Sequence, residues 1–222
     1  MAMRSTPHAP AGTRWFALRE IILIVATFFG YERVRHLTKG DTDAAFDNAR
    51  RVVDLERGLH LFVERPIQEL AMSIDGMIAF LDHYYVFVHF PLSFGFVGWV
   101  VFRHRDLYPR FRNWFLSVTM LALVIHVAFP LAPPRMLEEH GFVDTLHVFG
   151  PSIYTEDTNQ SVANQFAAMP SLHFGWALLI ALMFVRIKGG RWSWLALAHP
   201  IITLLAIVAT ANHYLADAAV AL

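Results

Sequence analysis

The sequence predicts an all-α protein, a polytopic membrane helix bundle of about six transmembrane helices with an amphipathic interfacial helix between the first two spans. Three observations predict it. Of 222 residues, 56% are hydrophobic and only 16% charged, against roughly 45–50% apolar in soluble domains. Nineteen phenylalanines and six tryptophans push the same way. The apolar residues also gather into five stretches that approach the roughly 20 residues needed to span a bilayer.

The elements follow in chain order. Residues 1–14, "MAMRSTPHAPAGTR", are polar and proline-containing and read as a cytoplasmic tail rather than a cleaved signal peptide. Residues 15–222 read as a single membrane-embedded domain. The first span runs from 15 to about 31 around "IILIVATFFGY", and the second from about 77 to 102. The third is "NWFLSVTMLALVIHVAF", stopped by Pro130. The fourth follows "MPSLH" through 185, and the fifth covers 192 to about 211. A sixth begins near His213, where ten residues remain. That is too few to cross, so the natural chain is expected to continue past Leu222 or to be truncated here. Residues 41–67 differ in kind: Ala45, Ala49, Val52 and Leu59 recur at helical spacing among charges. Such a segment lies on the outer membrane surface or packs on the bundle.

Charge sets the orientation. Arg103, Arg105, Arg110 and Arg112 face a single Asp106 between the second and third spans, and Arg186, Lys188 and Arg191 have no acid beside them. The loop from 132 to 170 carries Arg135 against Glu138, Glu139, Asp144, Glu156 and Asp157. Cytoplasmic loops collect Lys and Arg, so the long acidic loop faces out. The N-terminus, with Arg4, Arg14 and Arg19, faces in. The protein is expected in the cell membrane, multi-pass, with its polar sites outside. A formal net charge of zero leaves no basic footprint for nucleic acid. The absence of cysteine excludes disulfides, thiolate metal sites and cysteine nucleophiles.

That topology brings three polar fragments to one face. "FPLAPPRM" breaks the third span, because paired prolines cannot continue a helix, and presents Arg135. The fourth span starts at Pro170, Ser171 and His173, where a helix start offers free N–H groups to an anion. The fifth emerges at "TANHYLAD", with His213 and Asp217 four apart on one helix face. Together they suit phosphoryl transfer. Arginine's planar fork matches phosphate oxygens. One histidine can attack phosphorus while a carboxylate fixes its tautomer, and a second can protonate the departing oxygen. No metal and no cofactor is needed. Ser171 alone reads equally as an N-cap or a phosphate ligand. His140 and Asp144 repeat the His-Asp spacing within the outer loop, where they read as loop polarity.

These residues resemble the type 2 phosphatidic acid phosphatase superfamily, with its Lys-x6-Arg-Pro, Pro-Ser-Gly-His and Ser-Arg-x5-His-x3-Asp motifs. Pro170-Ser171-Leu172-His173 matches the second motif with leucine for glycine, and His213 and Asp217 match the end of the third. Arg135 fits the first, followed by Met136 instead of proline. Ala128 and Ile207 stand where the family has its lysine and its other arginine. The run "APPRM … GFVDTL … AAMPSLH … NHYLAD" is similar to the inositol phosphoceramide synthase-like branch. The resemblance covers about residues 80–222. It implies His213 as a nucleophile forming a phosphohistidine, Asp217 orienting it, and His173 as general acid. It also implies that Arg135 binds phosphate, helped by Ser171 and Asn212.

The expected partners are a lipid-phosphate substrate, membrane lipids and an alcohol acceptor if the reaction is a transfer. Water as acceptor gives a phosphatase; an alcohol gives a phosphotransferase or a phosphodiester headgroup transferase. Two other classes stand beside these. One is a non-catalytic lipid-binding protein, which needs no nucleophile. The other is a haem-binding protein using two of His83, His89, His126 and His199, disfavoured because no pair lies at obviously matched depth in the sequence.

Overall fold

Long apolar runs bounded by proline and glycine fold here as helices. The structure, a computed structural model, describes residues 42–149 and 166–222 with scattered helical positions between 15 and 30. The tail 1–14, about half of the first span, and Glu156 and Asp157 lie outside the described residues. Helices α1 (Thr42–Gly58) and α2 (Glu64–Ser73) precede three long ones: α3 (Met77–Arg103), α4 (Tyr108–Ala128) and, after the 130–148 loop, α5 (Leu172–Lys188). Then come α6 (Arg191–Ala209) and the short α7 (Leu215–Val220). There is no strand among the described residues, only an isolated bridge between Leu131 and Ala167.

Local chemistry sets the boundaries. Pro109 sits in the first turn of α4, where its missing N–H costs nothing, and the helix stops two residues before Pro130. Ser171 caps α5, and Gly189 ends it at φ 62° and ψ 178°, a backbone region open essentially to glycine alone. α3 is interrupted by a π turn over Tyr84–Val88, which shifts the register of the side chains beyond it.

α3, α4 and α6 are long and apolar enough to cross a membrane. Leu121, Val124, Phe94 and Ile201 point outward, each more than 60% exposed. A wall of that kind suits lipid rather than water. α5, with 17 residues, is about 25 Å long, short of the roughly 30 Å hydrocarbon core. The predicted sixth span is present only as α7, six residues long. The described residues therefore show three candidate spans of the six expected.

The two ends of the bundle differ. At one, Val100, Tyr108, Phe111, Leu179, Ile180 and Met183 form an apolar cluster. Buried Glu20 pairs there with Arg112 and accepts a hydrogen bond from Tyr108 Oη at 3.2 Å. This puts the start of the first predicted span beside the arginine-rich 103–112 turn, the same-side placement that charge counting expects.

The other end is covered by α1 and α2. α1 buries Ala45, Asn48, Ala49, Val52, Val53 and Glu56, one stripe at helical spacing. Its apolar members pack on Leu131, Ala132, Leu137 and Tyr214. Asn48 Nδ2 donates to Pro130 O at 2.9 Å, and Ala132 N donates to Ala45 O at 3.2 Å. Of the two placements open for residues 41–67, packing on the bundle describes α1. The segment is also two helices rather than one: α1 stops at Gly58, His60 takes φ 59°, and α2 restarts at Glu64 with Pro66 in its first turn. Because Ala49 is fully buried in this seam, Ala49→Leu is expected to overpack it by about 1–3 kcal/mol. A clear drop in melting temperature of the detergent-solubilised protein checks this.

Candidate active site

The site is built around the turn from Thr210 to Tyr214 that joins α6 to α7. Asn212 N and His213 N both donate to Ile207 O, at 3.0 and 3.1 Å, and Thr210 Oγ1 donates to Ala206 O at 2.7 Å. Ala211 sits at φ 53°, a left-handed conformation costing an L-residue about 1–2 kcal/mol. Its carbonyl accepts Arg135 N at 2.9 Å, so the turn also anchors the Pro133-Pro134-Arg135 corner.

This frame holds His213 in one orientation. Its Nδ1 lies 2.8 Å from Ala168 O and 3.1 Å from Asp217 Oδ2. Both neighbours are acceptors, so Nδ1 carries the hydrogen and Nε2 keeps its lone pair. Burial holds the imidazole low, at about 4, against the opposing pull of the Ala168 carbonyl; the ring is neutral at pH 7. Asp217 is fully buried and accepts Tyr214 N at 2.9 Å through the same Oδ2. Burial, reinforced by Asp217 and Glu56, pushes the Tyr214 phenol far above its ordinary range. Its hydroxyl donates to Ala132 O at 3.0 Å.

The other predicted residues converge on this dyad. The His173 ring centroid is 5.9 Å from that of His213, and its far face stacks on Tyr85 at 4.4 Å. Arg135 Nη1 donates to Asn212 Oδ1 at 2.7 Å, next in sequence to His213. Ser171 is buried as the cap of α5, its Oγ accepting Phe174 N at 3.4 Å, and Ser171 N donates to Asp217 O at 3.0 Å. All six predicted site residues thus lie in one cluster. Among the described residues, no group of three or more His, Asp or Glu side chains is arranged to hold a metal ion.

Several participants escape sequence reading. Asp144 is more than loop polarity: its Oδ2 lies 3.6 Å from Arg135 Nε and its Oδ1 accepts His147 N. Asp82, buried at the start of α3, accepts Thr145 Oγ1 at 3.0 Å. His89 and His199 do lie at matched depth, 5.6 Å apart, contrary to the sequence expectation. Their rings stack face to face, whereas axial haem ligands present their nitrogens to the iron. A cavity of about 710 Å³ between α3, α5 and α6, lined by Trp99, Phe184, Lys188 and His199, contains none of the predicted site residues.

A family model described as the PAP2 superfamily matches residues 50–222. The chain belongs to the PAP2 superfamily. It is also 26% identical, over 129 residues, to the inositol phosphorylceramide synthase catalytic subunit of Schizosaccharomyces pombe. That match takes in 52% of this chain and 30% of the fungal protein. No solved structure matches the chain. The membership expected from the motifs is borne out, and the superfamily match begins within α1 rather than at the second span.

Thr145 joins the loop after α4 to the bundle by donating to Asp82. Thr145→Val keeps the shape but strips a fully buried carboxyl of its donor, which costs about 1–3 kcal/mol. A lowered melting temperature for Thr145→Val checks this.

Proposed function

We propose that this PAP2-superfamily protein is an integral membrane lipid-phosphate phosphatase or phosphotransferase that works through a phosphohistidine on His213. The observation that carries the reading is the double acceptor at His213 Nδ1, which leaves Nε2 free beside His173 and Arg135. In the first step Nε2 attacks phosphorus, the P–O bond to the leaving group breaks, and His173, which enters the step as the imidazolium, gives that oxygen its proton. Asp217 and the Ala168 carbonyl stabilise the ring as it becomes cationic. In the second step His173 takes a proton from water or an alcohol, the new P–O bond forms, and the P–N bond breaks, restoring both histidines. Arg135 holds the phosphoryl oxygens through its fork, with Asn212 fixing the fork and the Ser171 hydroxyl still able to donate.

A more specific reading is transfer of a phosphodiester headgroup. Ile207 is fully buried among apolar side chains, and Ala128 ends α4. Neither position supplies the cation that the superfamily motif places there. A phosphodiester carries less charge than a monoester and needs fewer cations. The printed name of the fungal relative, a synthase of inositol phosphorylceramide, is in keeping with transfer.

The test is turnover by the purified protein, in EDTA, of a panel of phosphate-labelled lipids: polyprenyl phosphate, phosphatidic acid and phosphatidylinositol, each with and without an alcohol acceptor. His213→Ala is expected to lower turnover by several orders of magnitude, as losing one such group commonly does. Free phosphate marks a phosphatase and label on the alcohol marks a transferase. Near wild-type turnover in folded His213→Ala sinks the mechanism.

The reading also places the site at the extracytoplasmic face. The chain has no cysteine, so single introduced cysteines report the side directly. In intact cells a membrane-impermeant maleimide is expected to label Glu139→Cys, and to reach Arg105→Cys only after permeabilisation; both positions are exposed. The reverse pattern inverts the topology.

A further inference from the structure

Three buried carboxylates meet at the start of α7. Glu64 Oε1 accepts Leu215 N at 2.7 Å, Glu56 Oε1 accepts Ala216 N at 2.8 Å, and Asp217 Oδ2 accepts Tyr214 N at 2.9 Å. Each of these free N–H groups is thus satisfied by a different acid. Two of the acids come from α1 and α2, 160 and 151 residues away in sequence. Glu64 is fully buried and Glu56 is 3% exposed, where an ionised group is costly unless it is paired. Neither forms an ion pair among the described residues. The two acids sit on adjacent amides, and the second oxygen of each, Glu56 Oε2 and Glu64 Oε2, is buried without a hydrogen-bond partner among the described residues; one proton held between two neighbouring carboxyls serves both oxygens.

Among the described residues no cation pairs with either acid. Asp217 faces the pair from α7 and Tyr214 from the preceding turn. On α1, Arg57 turns to the Phe62 ring and to His140, and on α2 Arg65 pairs with Glu69. From the outer loop, Glu139 pairs with Arg50, and Arg135 is held by Asn212 and Asp144.

We propose that Glu56 and Glu64 are positioning residues that share one proton, clamp the start of α7, and so hold Asp217 against His213. The inference rests on the reading of His213 and Asp217 as the reacting dyad. Burial, with the Glu64 charge behind it, raises the Glu56 carboxyl to about 8. The clamp is therefore fully present below the ordinary carboxylate range, persists at neutral pH, and is lost as pH rises through about 8. Two charges then face each other in a buried space, and the start of α7 loosens.

Amide hydrogen exchange of the full chain in detergent, read by mass spectrometry from pH 6 to 9.5, tests the clamp without a substrate. After correction for intrinsic exchange, wild-type protection at residues 214–217 is expected to fall about tenfold more than elsewhere as pH passes 8. Glu56→Ala is expected to lack that protection at every pH. Glu56→Gln, whose amide donates to Glu64 as the protonated acid does, is expected to keep it at pH 9. With the labelled lipid turned over in the panel above, Glu56→Ala is expected to lower kcat at least tenfold with KM within twofold, and Glu56→Gln to recover most of that loss. Wild-type protection that ignores pH 8, or equal loss in the Ala and Gln variants, overturns the clamp. Where Glu56→Ala does not fold, Glu56→Gln against wild type at pH 9 decides alone. Turnover surviving His213→Ala overturns only the dyad reading, because exchange reports the clamp directly.

Discussion

Asp217 is a carboxylate with no exposed surface at the end of a bundle whose walls are apolar. A group of that kind is costly to bury unless its hydrogen bonds are made; the surrounding architecture makes them at Oδ2, while Oδ1 is buried without a hydrogen-bond partner among the described residues. Its Oδ2 takes the His213 imidazole and the Tyr214 amide, while its backbone carbonyl takes Ser171 N. Those contacts tie the turn after α6 to the start of α5. The Ala168 carbonyl, on the same segment as Ser171, adds the second acceptor for His213. Removing the acid leaves the His213 imidazole and the Tyr214 amide without their shared acceptor, while the backbone bond to Ser171 N remains.

A different constraint shapes the anion side of the site. Arg135 does not wait with a bare guanidinium: Asn212 takes one nitrogen and Asp144 stands 3.6 Å from another. In the proposed reaction, a phosphate entering the site competes with the Asp144 carboxylate for that fork. The exchange replaces one anion with another and limits how much net charge the pocket must accommodate. Combined with Ile207 and Ala128 at the superfamily's cation positions, this makes a site poorer in positive charge than the motif pattern prescribes.

How much of this was legible in the sequence depends on the range of the interaction. The dyad spacing, the helix-start histidine and the proline-broken arginine corner are local patterns, and all came together as read. The ends of α3, α4 and α6 fell within a few residues of their predicted positions, because proline and polarity shifts mark them. The pairing of Asp144 with Arg135 leaves no mark in the sequence, because the two are nine positions apart, beyond any helical or strand spacing. Glu56 leaves a visible signal: it falls on the stripe formed by Ala45, Ala49 and Val52, at a position where an apolar residue belongs. An acid on a buried stripe asks for a partner, and here the partner is 160 residues on. The break of α1 at Gly58 was equally marked by glycine and by Pro66, but the continuing apolar periodicity through Leu59 masked it.

The division of labour between the two ends follows from solvent. Along the bundle's length, lipid demands a continuous apolar surface, and Leu121, Val124 and Ile201 provide it without contributing to chemistry. Buried carboxylates and imidazoles at the other end need donors that a lipid-facing helix cannot spare, since its backbone groups are already paired. Loops, caps and helix starts have such groups to offer. Leu215, Ala216 and Tyr214 each give a backbone N–H, and Ala168 and Ala211 each give a carbonyl. α1 and α2 close that end, so the polar groups stay ordered by protein rather than water. On this view the amphipathic segment before the second span is part of the site itself. The superfamily match, which begins inside α1, agrees with that boundary.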